Sequence, residues 1–214
     1  MILLALLLQA ATPACPNPDA LPAAAARARC AGVALAGAAR WREAAAAFEG
    51  AAKQVNDTKA ADLWAQAGNA WLAAGEPAKA GAALDAALVL SEGRTAFDKG
   101  ELRLDRARAA VAAGDLDAGR TVLDQALTAV PDDPLAWLLS ATLARRMGQP
   151  ARAAKDIAEA LKRAPDDAAV QLEAGNIAAR AGNTEQAKER WGDALRLQPD
   201  GDAGRAAKAA LAQF

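Results

Sequence analysis

One short pattern recurs along this chain at a nearly fixed spacing, and it constrains the fold more than any other feature. In residues 181–199 the pattern is a small-residue turn, an alanine, a large apolar residue four positions later, a second alanine and a final proline. Three successive copies end in Pro131, Pro165 and Pro199, which are equally spaced along the chain. A period of about 20 to 50 residues is typical of stacked repeats, whose neighbouring units bury a shared core.

The spacing of these copies resembles that of the tetratricopeptide repeat, a helix–turn–helix unit of about 34 residues that stacks into a solenoid. Five units are in phase, although the two upstream steps are slightly wider. The first-helix pattern of that family is eroded but recognisable in the second unit, which has Trp64, Gly68 and Trp71. The third unit departs most, with Arg103 and Arg106 where Trp and Leu are expected.

The resemblance implies an all-α fold, an α-solenoid of about five tetratricopeptide-like helix-turn-helix repeats with a C-terminal capping helix at residues 202–214. The chain is 53% hydrophobic but only 4% aromatic, which agrees with many closely packed helices rather than one large aromatic core. Alanine, the best helix former, also favours this arrangement. The repeat domain would span residues 25–201, with repeats near 25–58, 61–94, 100–133, 134–167 and 168–201.

Turn residues recur at one place in their units. We expect the first helix to end on a left-handed glycine and Pro77 and Pro150 to occupy the first turn of the second helix, where a missing N–H costs little. Asp115, and Asn183 or Thr184, should cap other second helices. The glycines expected to end the first helices are Gly75, Gly114, Gly148 and Gly182.

Two acidic connectors, residues 131–134 and 165–167, look like a metal site. We interpret them instead as segments that end one helix and cap the next, since Asp is a preferred N-cap residue.

Small and large residues should meet where the two helices of a unit pack. We expect the leading small residue of each copy to let the helices approach and the large residue to fill the space one turn further on. We also expect Trp137 to be buried, so that its truncation to Ala would cost roughly 3–5 kcal/mol. The large residues that fill the space between the two helices are Phe48, Leu84, Leu123, Ile157 and Trp191.

Phe97 lies in the irregular joint at residues 91–100, and it should extend the apolar face of the next helix.

The charge and composition exclude several function classes. With 25 Lys and Arg against 26 Asp and Glu, the chain lacks the basic excess that nucleic-acid binding needs. The absence of His removes the usual general base, the commonest metal ligand and every Ser-His or Cys-His nucleophile. We therefore expect no catalytic residue, no cofactor, no metal and no nucleic-acid partner, and a protein or peptide as the partner.

The N-terminus predicts export. Residues 2–8 are all apolar, too few to span a bilayer, and small residues follow them. Residues 1–14 therefore fit a signal peptide, cleaved after Ala10 or Ala14, with residues 15–24 as the mature N-terminal segment. This predicts a periplasmic protein without a transmembrane span. The alternatives are a lipid anchor on Cys15, or an unprocessed first helix in a cytoplasmic protein.

Cys15 and Cys30 are the two cysteines of the chain. In an oxidising compartment an even cysteine count indicates a disulfide, here one that would join the N-terminal segment to the first helix. The alternative is two unpaired thiols, one of them buried as a small apolar residue.

The resemblance also implies that the first helices line a concave groove. Asn69 and Asn176 match the recurrent groove Asn of the family, which hydrogen-bonds a peptide backbone, and the arginines could receive carboxylates. The function expected is that of a non-catalytic exported bacterial scaffold binding a peptide or an envelope protein in the groove. The alternative is a cytoplasmic adaptor or co-chaperone-like protein. The groove candidates are Arg29, Asn69, Arg108, Thr142, Arg145 and Asn176.

Overall fold

The computed structural model describes residues 20–214, and within them the chain forms eleven α-helices and no strand. The predicted all-α fold is confirmed. The predicted signal peptide at residues 1–14 and Cys15 lie outside the described residues. The helices are α1 (Ala23–Gly37), α2 (Trp41–Ala52), α3 (Lys59–Ala73), α4 (Pro77–Val89), α5 (Ala96–Ala113), α6 (Leu116–Ala129), α7 (Pro134–Arg146), α8 (Pro150–Arg163), α9 (Ala168–Arg180), α10 (Thr184–Leu197) and α11 (Asp202–Leu211).

The helices form five consecutive pairs, α1–α2 to α9–α10, and α11 packs on the last pair. Each helix packs chiefly on its neighbours in the chain, as in a solenoid. The buried apolar residues accordingly divide into five clusters, each built from consecutive helices, instead of one central core. None of the helices within residues 20–214 is long and apolar enough to cross a membrane.

Glycines make the close approach between paired helices possible. A Cβ at Gly68 would lie 2.5 Å from Leu84 Cγ, and one at Gly175 would lie 2.5 Å from Trp191 Cδ1. The large residues are buried as expected; Leu84 is 0% exposed and Trp191 2%. The side chain that each glycine lacks is therefore replaced by a large one from the second helix.

The predicted turn chemistry is confirmed at most positions. Gly75, for example, has φ +73°, in the left-handed region, and Pro77 and Pro150 begin α4 and α8. Asp115 accepts a hydrogen bond from the Ala118 backbone N–H at 3.0 Å and caps α6.

The acidic connectors also cap helices, as predicted: Asp133 caps α7 and Asp167 caps α9. The cap of α10 is confirmed in position only. Asn183 holds the N-cap position without a side-chain hydrogen bond, and Thr184 is the first residue of the helix.

The joint between the second and third pairs is shorter than expected, because α4 ends at Val89 and α5 already begins at Ala96. Thr95 and Asp98 form a capping box there, each side chain bonding the backbone N–H of the other. Phe97 is 59% exposed, so the expectation that it joins an apolar face is wrong. Thr95 and Ala96 are exposed too, because nothing packs over the first turn of α5.

Trp137 packs against the core cluster that α7, α8 and α9 share, but it is half-buried and not fully buried as expected. Its Nε1 donates to the carbonyl oxygen of Pro131 at 2.7 Å, which ties α7 to the connector before it. Arg163 lies over the ring, 5.2 Å from the centroid. One side of the indole thus packs on the core, and its N–H has the connector carbonyl as a partner.

Candidate functional site

Successive first helices contact one another, α3 with α5, α5 with α7 and α7 with α9. Side chains on the first helices of different pairs can therefore meet, although they are far apart in sequence. We call the surface that α3, α5, α7 and α9 form together the first-helix face.

Asp105 on α5 organises one polar cluster on this face. It accepts a hydrogen bond from Asn69 Nδ2 of α3 at 2.8 Å, through Oδ2. Its other oxygen, Oδ1, accepts from Arg108 Nη1 at 3.2 Å. Asn69 and Arg108, two of the groove candidates, are thus joined by a carboxylate, and both remain exposed. We call these three residues the Asp105 cluster.

Glu173 on α9 organises a second cluster. Arg145 of α7 donates to it twice, Nε to Oε1 at 2.6 Å and Nη2 to Oε2 at 3.0 Å. Asn176 Nδ2 donates to Oε2 at 3.3 Å, and Asn176 Oδ1 accepts from Trp191 Nε1 at 3.1 Å. We call Arg145, Glu173, Asn176 and Trp191 the Glu173 cluster.

The Glu173 cluster is a permanent ion pair rather than an open binding site. The side chain of Glu173 is only 8% exposed, and that of Arg145 is 24% exposed. Separating a two-point pair at this depth would leave an uncompensated buried charge, which is strongly unfavourable. The guanidinium that could receive a partner's carboxylate is thus already neutralised within the chain.

The structure brings four of the six groove candidates into these two clusters. Thr142 lies half-buried on α7, one turn before Arg145, and Arg29 lies half-buried on α1. Cys30 is also on α1, but its predicted partner Cys15 is outside the described residues, so the disulfide stays a prediction.

Sequence reasoning missed the two carboxylates at the centres of the clusters, because it considered only groups that could donate to a partner. A signal for them exists: Asp105 precedes Arg108, and Glu173 precedes Asn176, by three positions. Side chains at that spacing are neighbours on a helix surface.

Glu101 adds a negative charge to the α5 end of the face. Glu101 lies one turn before Asp105, and burial raises the pKa of Glu101, with the Asp133 and Asp105 carboxylates adding to the effect. Within residues 20–214, however, no three His, Cys, Asp or Glu residues are grouped so that they could hold a metal ion.

A cavity of about 540 Å³ opens at the other end of the face, where α11 packs beside α9 and α10. We call it the C-terminal cavity. Phe214 lies over Trp191 in its wall, with the ring centroids 5.1 Å apart. Four alanines supply most of its remaining apolar lining, and Arg145, Asn176, Arg180 and Gln213 supply its polar groups.

Solved structures of similar shape share the solenoid fold. YrrB, described as a tetratricopeptide protein with an unusual peptide-binding site, matches with TM-score 0.60 and 21% identity over 85% of this chain and 90% of that one. MamA from Desulfovibrio magneticus RS-1 matches with TM-score 0.69 and 18% identity, over 86% and 99%. Pseudomonas aeruginosa pilF matches with TM-score 0.68 and 14% identity, over 88% and 83%. At these identities the likeness shows the fold alone.

Family models identify the repeats directly from the sequence. Two tetratricopeptide-repeat models match, one at residues 100–143 and the other at residues 138–203. No curated protein sequence matches the chain. The family matches and the stacked helix pairs show that this chain is a tetratricopeptide-repeat-containing protein.

Proposed function

We propose that this chain is a non-catalytic protein-interaction scaffold that binds an extended peptide segment of a protein partner along the first-helix face. The observation that carries the proposal is the Asp105 cluster, in which exposed hydrogen-bond donors from α3 and α5 lie side by side on this face. The peptide-binding site named for YrrB, which has the same fold, supports it.

The Asp105 cluster is suited to hold a peptide backbone. Asp105 uses one hydrogen of the Asn69 amide and one nitrogen of the Arg108 guanidinium, so further donors of both exposed groups face solvent. An extended peptide presents unpaired carbonyl oxygens to such donors. Because Asp105 already fixes both side chains, binding would cost little further side-chain entropy.

The test is selection from a library of random dodecapeptides displayed on phage, followed by fluorescence anisotropy of the enriched peptides. We expect Arg108→Ala to weaken their binding about tenfold, equivalent to about 1.4 kcal/mol. Arg196→Ala is the matched control, because Arg196 forms the same kind of exposed pair, with Asp193 three positions before it, on second helix α10. Failure to enrich any peptide, or equal losses in the two variants, would contradict the proposal.

We also propose that the chain acts in the periplasm, after removal of its N-terminal residues. The apolar run at residues 2–8 and the spacing of Cys15 and Cys30 support this location. The intact mass of protein from its native host should correspond to a chain that begins after Ala10 or Ala14. Reduction should add the mass of two hydrogens. A full-length chain with two thiols would instead support the cytoplasmic adaptor.

A further inference from the structure

We propose that the C-terminal cavity binds an apolar side chain of the peptide together with a neighbouring carboxylate, and that Arg180 receives this carboxylate. The inference rests on the proposed peptide-binding function and extends it, because it assigns a chemical class of ligand to one end of the face. The carboxylate would be an Asp or Glu side chain or the C-terminal carboxylate of the peptide.

The apolar half of the proposal follows from the cavity wall. Its volume of about 540 Å³ is within the range of ordinary ligand pockets. The wall offers the exposed ring of Phe214, which packs on the buried ring of Trp191, and small residues beside it, so it can contact an aliphatic or aromatic side chain. The apolar lining residues are Ala179, Trp191, Ala206, Ala209, Ala210 and Phe214.

The charged half follows from the two arginines. Glu173 neutralises Arg145 through two hydrogen bonds. Arg180, in the last turn of α9, is exposed and forms no ion pair with any residue from 20 to 214. Of the two guanidinium groups in the cavity wall, that of Arg180 therefore has no ion-pair partner among residues 20–214. A carboxylate is its natural complement, because a guanidinium binds carboxylates through paired, charge-assisted hydrogen bonds.

The two ends of the first-helix face differ in charge, and this fixes a direction for the peptide. At the α5 end Arg108 neutralises Asp105, whereas Glu101 forms no ion pair with any residue from 20 to 214, and Arg180 makes the α9 end basic. Neighbouring packed helices are about 10 Å apart, so the two ends lie roughly 20 Å from each other. An extended chain covers this span with about six residues. The peptide would place a cationic or neutral residue over α5 and its carboxylate at α9.

Arg146 provides a matched control for Arg180. It stands at the same position of the preceding repeat and is likewise exposed in the last turn of its helix. Arg146 does not line the C-terminal cavity.

The experiment uses the full chain and two phage libraries of random dodecapeptides, one ending in a free C-terminal carboxylate and one embedded in the carrier protein. Each library is selected against the wild type, Arg180→Ala and Arg146→Ala. We expect the wild type and Arg146→Ala to enrich an apolar residue next to a carboxylate. Arg180→Ala should lose that preference.

Synthetic copies of the enriched peptides then separate the two sources of the carboxylate. Amidation of the C-terminus should weaken binding about tenfold if the terminal carboxylate is the ligand. Substitution of the internal Asp or Glu by Asn or Gln should do so if a side chain is the ligand. Either change should have no further effect in Arg180→Ala, because the interaction is already lost there.

A second variant tests the apolar half. Ala209→Trp fills the cavity from an exposed position on α11, and we expect it to weaken the same peptides about tenfold with an unchanged melting temperature. Two results would overturn this inference and leave the scaffold proposal intact. In the first, the enriched peptides depend on Arg108 but show no preference for a carboxylate. In the second, Arg180→Ala selects peptides with the same carboxylate preference as the wild type. If no peptide is enriched at all, both proposals fail.

Discussion

At the residue scale, three pairs of positions control the contact inside a repeat. Gly32, Gly68 and Gly175 each face a large residue sixteen positions later, which are Phe48, Leu84 and Trp191. In the third and fourth pairs, Ala107 and Ala141 stand at the same distance before Leu123 and Ile157, and both alanines are fully buried. The sequence alone indicates the large residue of each pair. The sequence also shows Gly68 within the first-helix pattern, but that each small residue faces a particular large one is visible only once the two helices are packed.

The first prediction concerns this complementarity. Gly68→Ala should destabilise the protein by about 1–3 kcal/mol, because the new Cβ would lie 2.5 Å from the Cγ of fully buried Leu84. Gly50→Ala is the control, since a Cβ at this helical glycine meets nothing within 4 Å. The control should stabilise the chain by up to about 1 kcal/mol. Urea unfolding measures both, and equal effects would contradict the packing argument.

The second prediction concerns Trp137. In the next repeat Gln171 makes the equivalent bond, its Nε2 donating to the carbonyl oxygen of Pro165 at 2.6 Å. Trp137→Gln should therefore keep the tie to Pro131, and Trp137→Ala should be less stable than Trp137→Gln by about 1 kcal/mol. Thermal melts of the two variants measure the difference. If they melt together, the hydrogen bond to the connector contributes nothing to stability.

At the element scale, a polar network with a buried centre holds α6, α7 and α8 together. Arg120 Nη1 of α6 donates to Ser140 Oγ of α7 at 3.0 Å, and Ser140 Oγ donates to Asp156 of α8. Arg152 Nε also donates to Asp156, at 3.3 Å. The carboxylate of Asp124 completes the network by accepting from Arg120 and Arg152. Burial lowers the pKa of Arg120, with the positive charge of Arg152 adding to the effect.

The third prediction tests this joint. The side chain of Asp156 is 4% exposed. Asp156→Ala would therefore remove, from inside the protein, part of the negative charge that compensates the positive charges of Arg120 and Arg152. We expect a loss of about 3–5 kcal/mol. Asp193→Ala, which removes the partner of Arg196 in a surface pair, should change stability by less than about 0.5 kcal/mol. Denaturant unfolding of both variants measures the contrast, and a comparably small loss in each would contradict the structural role of the network.

The neighbouring joint explains where the third repeat departs from the family pattern. Arg106 stands where an apolar residue was expected, and its Nε donates to Asp85 of α4 at 2.7 Å. Its guanidinium lies over Gly81, where a Cβ would be 3.6 Å from Cζ. A Cβ at that distance would be in ordinary van der Waals contact, so the ion pair with Asp85, and not the absence of a side chain at Gly81, accounts for the arginine of the third repeat.

At the scale of the whole molecule, the five clusters make stability local. Each cluster joins consecutive helices, so damage at one end should spread over one or two repeats instead of unfolding the chain. The last cluster includes Trp191 and Ala207, which joins α11 to the final pair.

The fourth prediction uses Gly204, where a Cβ would lie 1.7 Å from the backbone oxygen of Gln198. Gly204→Ala should therefore displace α11 from α10. We expect hydrogen exchange to speed up at least about tenfold in α9 to α11 and to stay unchanged in α3 to α6. Gly192→Ala is the control, because a Cβ there meets nothing within 4 Å. Faster exchange throughout the chain would show that the repeats unfold together.

The sequence by itself determined the helix pairs, their turns and their stacking, because these depend on local signals that recur from one repeat to the next. Left-handed glycines, N1 prolines and Asp caps act within a few residues of where they stand. Only the tertiary structure decided which polar groups meet across repeats. Asp105 of α5 meets Asn69 of α3, and Glu173 of α9 meets Arg145 of α7. The two residues of each pair are about one repeat apart in the chain. Their contact depends on how the first helices pack side by side, and no local pattern encodes that geometry.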